Sequence, residues 1–276
     1  MPQNRMNYYL KSILYFIGRN ILNRKYLIGY SDKYDLKFRF RATDSVGRLI
    51  FKKGIYEEEL TDYLINSIDL ESGDIVFDVG ANIGWYSILL SKYFSGVEVH
   101  CFEPDPENFK ILKFNLELNN SENVMPNNIG LGKETDITKL YLYKKGNLGR
   151  HSMLKINGGL TIDVNITSFD EYVRKMQLNL SKIKFLKIDI EGYEYFAFLG
   201  GKEFLNYVPT IMAEFSPSFM RKEGLDPAKL LSLLRSYHYS PFIVKGINLE
   251  PIDDEFLLSV ESNVDLIWKK SNFVNL

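Results

Sequence analysis

The chain has 276 residues, enough for one large α/β domain with an added segment or for two small domains. At 45% hydrophobic, 14% aromatic and 25% charged it has the composition of a folded protein, not a disordered one. Lys+Arg 34 against Asp+Glu 35 leaves a net charge of -1, which offers nothing to a long polyanion, so no nucleic-acid partner is expected. The single cysteine, Cys101, excludes intrachain disulfides and cysteine-rich zinc sites and fits a reducing, cytoplasmic compartment.

The N-terminal segment departs from this neutrality. Arg5, Lys11, Arg19, Arg24 and Lys25 precede the first carboxylate, Asp32. "YYLKSILYFIG" is interrupted by Lys11 and falls well short of the roughly 20 apolar residues that a spanning helix needs. No small-residue cleavage site follows, so no signal peptide is expected. A basic, aromatic-rich helix of this kind has two resting places. Docking on the parent domain is preferred, because the apolar positions suit a core-facing stripe. The alternative is peripheral contact of residues 1–30 with an anionic membrane surface, at its inner face.

"FRFRATDSVGRLIFKKGIYEEELTDYLINSI" reads as two short strands and then a helix. Residues 1–65 are therefore expected to form a helical and β extension on a core domain of residues 66–276. Beyond it the apolar runs "IVFDV", "VEVHCF", "FLKIDI" and "TIMAEF" alternate with helical stretches, the pattern of βαβ units with helices on both faces of a mainly parallel sheet. Asp105 before Pro106, and Asp226 before Pro227, place a capping carboxylate ahead of proline at the first helical position, and "SFDE" at 168–171 reads as a capping box. "VDLIWKK" and "YSPFIVK" read as a late antiparallel pair at the sheet edge.

"DVGANIGWYS", residues 78–87, sits where the first of these strands becomes a helix. Gly80 and Gly84 permit a tight turn whose backbone amides can approach an anionic group at a helix N-terminus. The next strand ends in Glu103, about 20 residues on, where a carboxylate commonly accepts hydrogen bonds from ribose hydroxyls. Together they point to an adenosine-bearing cofactor. The bland alternative gives Gly84 only a helix-packing role and makes Glu103 a cap near Pro106. The dinucleotide fingerprint G-x-G-x-x-G is kept at Gly80 but broken by Asn82 and Trp85. A cofactor whose anionic part is one small carboxylate fits better, and S-adenosylmethionine meets that description. Asp78 would pair with its ammonium while loop amides take the carboxylate.

In "FLKIDIEGYE" strand alternation puts Lys187, Asp189 and Glu191 on one side, and with Glu194 three carboxylates crowd one strand end. Beside the first strand, they would orient an acceptor and remove its proton. The competing readings are a helix cap, favoured for Glu194, and a hard divalent cation; no metal is assigned, and activity unchanged by EDTA removes that option.

These strings stand in the order seen in the FkbM family of S-adenosylmethionine-dependent methyltransferases, which the chain resembles over residues 45–270: "VGRLIFKKGIYEEE", "IVFDVGANIGWYSILLSK", "FEPDPENF", "GRHSML", "TSFDEYV", "FLKIDIEGYEYFAFLGG" and "IMAEF". The resemblance implies a class I methyltransferase fold, Rossmann-like, with a seven-stranded mixed sheet. It implies that Asp78, Gly80, Asn82 and Gly84 surround the amino-acid portion of S-adenosylmethionine, that Glu103, followed by Pro104, holds the ribose, that Asp189 borders the cofactor, and that Asn128 lies near the adenine. Family members resemble O-methyltransferases of sugar or natural-product hydroxyls. "GRHSML" departs from the family pattern through Arg150 and His151, so the acceptor pocket is expected to be this protein's own. His151 and Ser152 are candidates for contact with an acceptor hydroxyl, with His151 a candidate proton acceptor near neutral pH and, equally, an exposed loop histidine. Glu214, at the end of "IMAEF", is a third acceptor candidate. Arg221 and Lys222 read by default as a solvated pair, while His100 and Cys101 read as packing residues.

The expected activity is methyl transfer from S-adenosylmethionine to an oxygen near Asp189, on a small-molecule or glycan acceptor. Two other readings stay open: an NAD-linked oxidoreductase or epimerase, and a non-catalytic nucleoside-binding protein of a glycan pathway.

Overall fold

A computed structural model describes residues 2–142, 151–154 and 160–271; Arg150 of the acceptor-loop string lies outside them. The chain opens with α1 (Pro2–Phe16), which ends in a π-helical turn, Ile17–Ile21. A hairpin of β1 (Tyr26–Ser31) and β2 (Leu36–Arg41) leads to α2 (Ser45–Lys53) and α3 (Glu58–Ser67). The main sheet starts at β3 (Ile75–Val79), followed by α4 (Trp85–Tyr93), β4 (Glu98–Phe102), α5 (Pro106–Leu118) and β5 (Val124–Asn127). A small three-stranded sheet holds β6 (Gly130–Leu131), β7 (Asp136–Leu142) and β8 (Leu160–Thr167). Then come α6 (Phe169–Met176), β9 (Ile183–Ile188), α7 (Glu194–Leu199), α8 (Phe204–Tyr207), β10 (Thr210–Phe215), α9 (Pro217–Lys222), α10 (Ala228–Ser236), β11 (Tyr239–Lys245), β12 (Asn248–Pro251), α11 (Asp254–Ser259) and β13 (Val264–Lys270).

The large sheet has eight strands in the order β12-β11-β13-β10-β9-β3-β4-β5. From β10 to β5 neighbouring strands run parallel. All five residues of β3 are buried, as helices on both faces require. This is the expected α/β class I arrangement, with β12 added as an eighth, hairpin strand at the edge.

Two local expectations are corrected. "VDLIWKK" and "YSPFIVK" do pair antiparallel, but β13 is inserted between β10 and β11 and is not an edge strand. Its run Leu266, Ile267 and Trp268 is buried, and only an interior position covers both faces of such a run. The second strand expected from "VGRLIFKK" is the helix α2. Asp44 accepts the Gly47 amide at 2.6 Å as its N-cap, Gly54 closes it at φ 73, and Val46 and Ile50, one turn apart, face inward. The partner of "FRFRA" is instead "YLIGYS", from the segment upstream.

The extension shares its core with the sheet: Tyr15, Phe38 and Phe40 belong to the same buried cluster as Val76, Ile88 and Val99. Trp85 forms the seam, with its ring 5.1 Å from Phe38 and 5.7 Å from Tyr34, and its indole N–H donates to Thr61 Oγ1 at 3.0 Å. Two asparagines one turn apart, one in the last turn of α5 and one capping its C-terminus, imitate a strand edge. Asn115 and Asn119 each accept a β2 amide, from Arg39 and Lys37, and donate to the same residue's carbonyl. Helix α1 docks through the buried Tyr15, whose hydroxyl donates to the Ala42 carbonyl at 2.5 Å. Of the expected caps, Asp105 accepts the Glu107 and Asn108 amides and Ser168 accepts that of Glu171.

Candidate functional site

A cavity of about 340 Å³ opens at the carboxyl ends of β3, β4, β9 and β10 and is closed on its far side by α2 and residues 56–57. Strand order reverses at β3, which has β4 on one side and β9 on the other, so the cavity lies at the topological switch point where α/β sheets bind ligands. Its volume is at the lower end of the range for small-molecule pockets.

The glycine turn forms the floor. Gly80 stands at φ 78, and a Cβ there would collide with the Asp189 carbonyl oxygen, so only glycine lets β3 and β9 end this close together. Four amides of the turn are already bonded within the protein. Gly80 N–H and Ala81 N–H donate to Phe102 O at 3.0 and 2.9 Å, Asn82 N–H donates to Glu103 Oε2 at 2.9 Å, and Gly84 N–H donates to Ala81 O at 2.8 Å. What the turn offers is the Asn82 side chain, whose buried Oδ1 has no hydrogen-bond partner among the described residues. Gly84, at φ 95, makes room for Leu112 beneath α4, the packing role weighed for it above.

Asp78 lies under the turn, outside the cavity wall. It is fully buried; Oδ2 accepts the Ser87 hydroxyl at 2.5 Å and Oδ1 is 3.8 Å from Lys187 Nζ. Burial pushes its carboxyl upward, and Lys187 opposes that. The ammonium of a ligand in the cavity therefore does not meet Asp78.

Lys187, which strand alternation places on the same face as Asp189, links both carboxylate groups. Its Nζ lies 3.7 Å from Asp189 Oδ2 and 5.3 Å from the centre of the Tyr86 ring. Burial disfavours its charge, but Asp189, Asp78 and Glu57 more than compensate, and its pKa is raised.

At the other end Glu103 lines the cavity with both oxygens bonded: Oε1 accepts from the Asp105 amide at 2.9 Å and Oε2 from Asn82. Burial pushes its carboxyl up to about 8. Pro104 lines the wall beside it. Asn128 does not; its amide donates to the carbonyls of Glu103 and Pro104 at 2.8 and 3.1 Å, bracing that strand end from a separate cleft.

Asp189, Glu191 and Glu214 face the cavity from the ends of β9 and β10. Glu214 Oε2 accepts the Ser216 hydroxyl at 2.6 Å, and burial, reinforced by Asp189, pushes its carboxyl up to about 7. Glu194 is buried in the first turn of α7 and accepts the Ile190 amide, upstream of the helix, at 2.9 Å. His151 lines the cavity, with Nε2 3.2 Å from Asp105 Oδ2. Ser152 is behind the wall: its hydroxyl donates to the Glu191 carbonyl at 2.8 Å, and its backbone pairs with Tyr141. Residues 151–154 thus form a strap fastened to α5, β7 and the end of β9. Arg221 donates to the carbonyls of Leu258 and Val260, so it clamps the C-terminal end of α11. His100 is buried between Tyr172 and Glu98.

The extension supplies wall residues that the sequence did not single out, among them Arg48, Tyr56 and Glu57. Glu57 stands at φ 43 and accepts the Tyr86 hydroxyl at 2.6 Å; burial, with Asp189 nearby, raises its carboxyl. Its only sequence signal was the "EEE" run at 57–59, which also fits the first turn of α3.

A sheet of this order, with a ligand-sized cavity at its switch point and a carboxylate ending the second strand, defines the class I methyltransferase architecture. The chain belongs to the methyltransferase FkbM domain family, whose domain it matches over residues 78–241. Methyltransferase 1 of Beauveria bassiana is 26% identical over 157 residues, covering 51% of this chain and 63% of that protein. The 31-O-demethyl-FK506 methyltransferase FkbM of Streptomyces tacrolimicus is 46% identical over 63 residues, 22% of this chain and 24% of that protein. The chain thus spans less than two thirds of the length of these two relatives. The hexuronic acid methyltransferase AglP of Haloferax volcanii is 24% identical over 241 residues, covering 87% of this chain and 91% of that protein. Among solved structures, precorrin-6y C5,15-methyltransferase from Geobacter metallireducens GS-15 has a TM-score of 0.45 at 13% identity, over 80% of this chain and 91% of that one.

Proposed function

We propose that the protein transfers a methyl group from S-adenosylmethionine to a hydroxyl of a sugar, glycan or natural-product acceptor. The observation that carries this reading is the polarity of the cavity: Glu103 at one end, and Asp189, Glu191, Glu214 and Glu57 gathered at the other, across the Gly80 turn. The donor set fits a nucleoside with a cationic tail. Glu103 suits ribose hydroxyls, while the unpartnered Asn82 Oδ1 and the Asp189 carboxylate suit N–H and sulfonium charge. Acceptor oxygen is favoured by the names of two relatives, AglP and the 2-O-methyltransferase NoeI of Sinorhizobium fredii.

When bound, the cofactor supplies a methyl group made electrophilic by positively charged sulfur. The chain's own residues then align and exclude. Asp189, held at the end of β9 by Lys187, orients the acceptor hydroxyl and takes its proton, and Glu191 and Glu214 complete the acceptor end. His151, paired with Asp105, fastens residues 151–154 at the cavity wall.

Calorimetry with S-adenosylhomocysteine and with NAD, combined with labelled methyl transfer to a panel of hexose and hexuronic acid glycans, tests this. Glu103→Ala should chiefly weaken cofactor binding. Asp189→Asn and Glu191→Gln should chiefly cut turnover. Binding of NAD in place of S-adenosylhomocysteine, or equal loss of both properties in all three variants, defeats the reading.

A further inference from the structure

Helix α1 is built the wrong way round for a surface helix that meets only water. Tyr15 turns inward, with its hydroxyl bonded to Ala42 and its ring 5.9 Å from Phe51 of α2. The opposite face should then be polar. It is not: Tyr9, Leu10, Ile13, Leu14 and Phe16 each stand half exposed or more, and Ile21, in the π-helical turn, is 65% exposed. Helical spacing of about 100° per residue collects positions 9, 10, 13, 14 and 16 on the side away from Tyr15. Docking on the parent domain therefore accounts for one face of this helix and leaves a second, apolar face without a partner among the described residues.

The charge around that face selects what covers it. Arg19, Arg24 and Lys25 follow it directly, and no carboxylate occurs before Asp32, whose charge is met by Lys11 at 3.4 Å. An apolar face on a segment with this excess of cations matches the boundary of an anionic bilayer, where the side chains enter the acyl region and the cations meet lipid phosphates. A second copy of the chain would bring the same excess of positive charge to the contact. Among the described residues no helix is long and apolar enough to cross a membrane, so the mode is lying on the surface.

We infer that α1 and its π-helical turn form a docking face for an anionic lipid surface, with Ile13 and Leu14 inserted and Arg19, Arg24 and Lys25 at the phosphates. Helix α2 then lies between this face and the cavity, because it packs on Tyr15 and also supplies Val46 and Arg48 to the cavity wall. The inference does not depend on the reaction catalysed.

The test is co-sedimentation of the full chain with phosphatidylcholine vesicles, with and without phosphatidylglycerol, at low and high salt. The chain should bind the vesicles containing phosphatidylglycerol and be released by salt. Ile13→Gln with Leu14→Gln should lower binding about tenfold or more. Arg19→Glu and Lys25→Glu should each lower it at least about fivefold. Both sets should keep the wild-type unfolding midpoint and S-adenosylhomocysteine affinity, because these side chains lie outside the core. Equal sedimentation with and without phosphatidylglycerol overturns the inference. So does a dimer in analytical ultracentrifugation that the Ile13/Leu14 variant dissociates while no vesicle binding is seen, which assigns the face to a second copy.

Discussion

Replacing Lys187 by methionine tests the central electrostatic feature of the site. The ammonium lies 3.8 Å from Asp78 and 3.7 Å from Asp189, its side chain is 8% exposed, and that of Asp78 is 1% exposed. Methionine keeps most of the volume but strands the buried Asp78 carboxylate. Removing one partner of a buried pair costs about 3–5 kcal/mol, and the loss should fall in this range because the Ser87 hydroxyl alone cannot replace a full charge. Adding Asp78→Asn removes the stranded charge and should recover most of the loss. The pH dependence has a definite sign. Burial already raises the Asp78 carboxyl in the folded chain, and loss of Lys187 raises it further. A carboxyl that binds its proton more tightly when folded destabilises the protein as pH rises from the unfolded value through the folded one. The single variant should therefore be least impaired in acid and most impaired at neutral pH. Denaturant unfolding across that range, with S-adenosylhomocysteine titration at neutral pH, measures both effects. A loss under about 1 kcal/mol at neutral pH, or a double variant no better than the single one, refutes the reasoning.

Gly80→Ala should cost at least about 2 kcal/mol and abolish S-adenosylhomocysteine binding, because a left-handed non-glycine residue is strained and its Cβ displaces the Asp189 carbonyl. Gly84→Ala, which meets the movable end of Leu112, should be milder in calorimetry and unfolding alike. Asn115→Leu strips both partners from the Arg39 backbone and should cost about 2 kcal/mol, with faster amide exchange in β2 than in β3. Glu194, pushed up to about 8 by burial, should make the fold lose stability as pH rises from the unfolded value near 4.5 towards 8. Glu194→Gln should flatten that part of the unfolding profile while still accepting the Ile190 amide. His151→Ala should release the strap and speed S-adenosylhomocysteine dissociation several-fold in stopped-flow measurements, with stability nearly unchanged.

The sequence by itself determined the features whose physics is local. The glycine turn after β3, the caps at Asp105 and Ser168, the alternation that makes the parallel strands and the carboxylates at the end of β9 all rest on bonds or periodicities within a few residues. The family strings located the same places. Tertiary structure decided who meets whom. Lys187 approaches the Gly80 carbonyl at 3.4 Å across 107 residues of sequence, a contact set by the register of β9 against β3. The amides of Gly80, Ala81 and Asn82 are taken by Phe102 and Glu103 because β4 ends beside them, which no spacing in "DVGANIG" reveals. Short apolar runs such as "VGRLIF" fit a strand or a helix equally well, so α2 was settled by its Asp44 cap and by the surface it had to cover. The far wall of the cavity belongs to the extension, joined to the core by Trp85, Asn115 and Asn119, whose partners lie tens of residues away. Long-range burial and hydrogen-bond partners depend on the whole chain's path, and a pattern read along the sequence carries only its nearest steps.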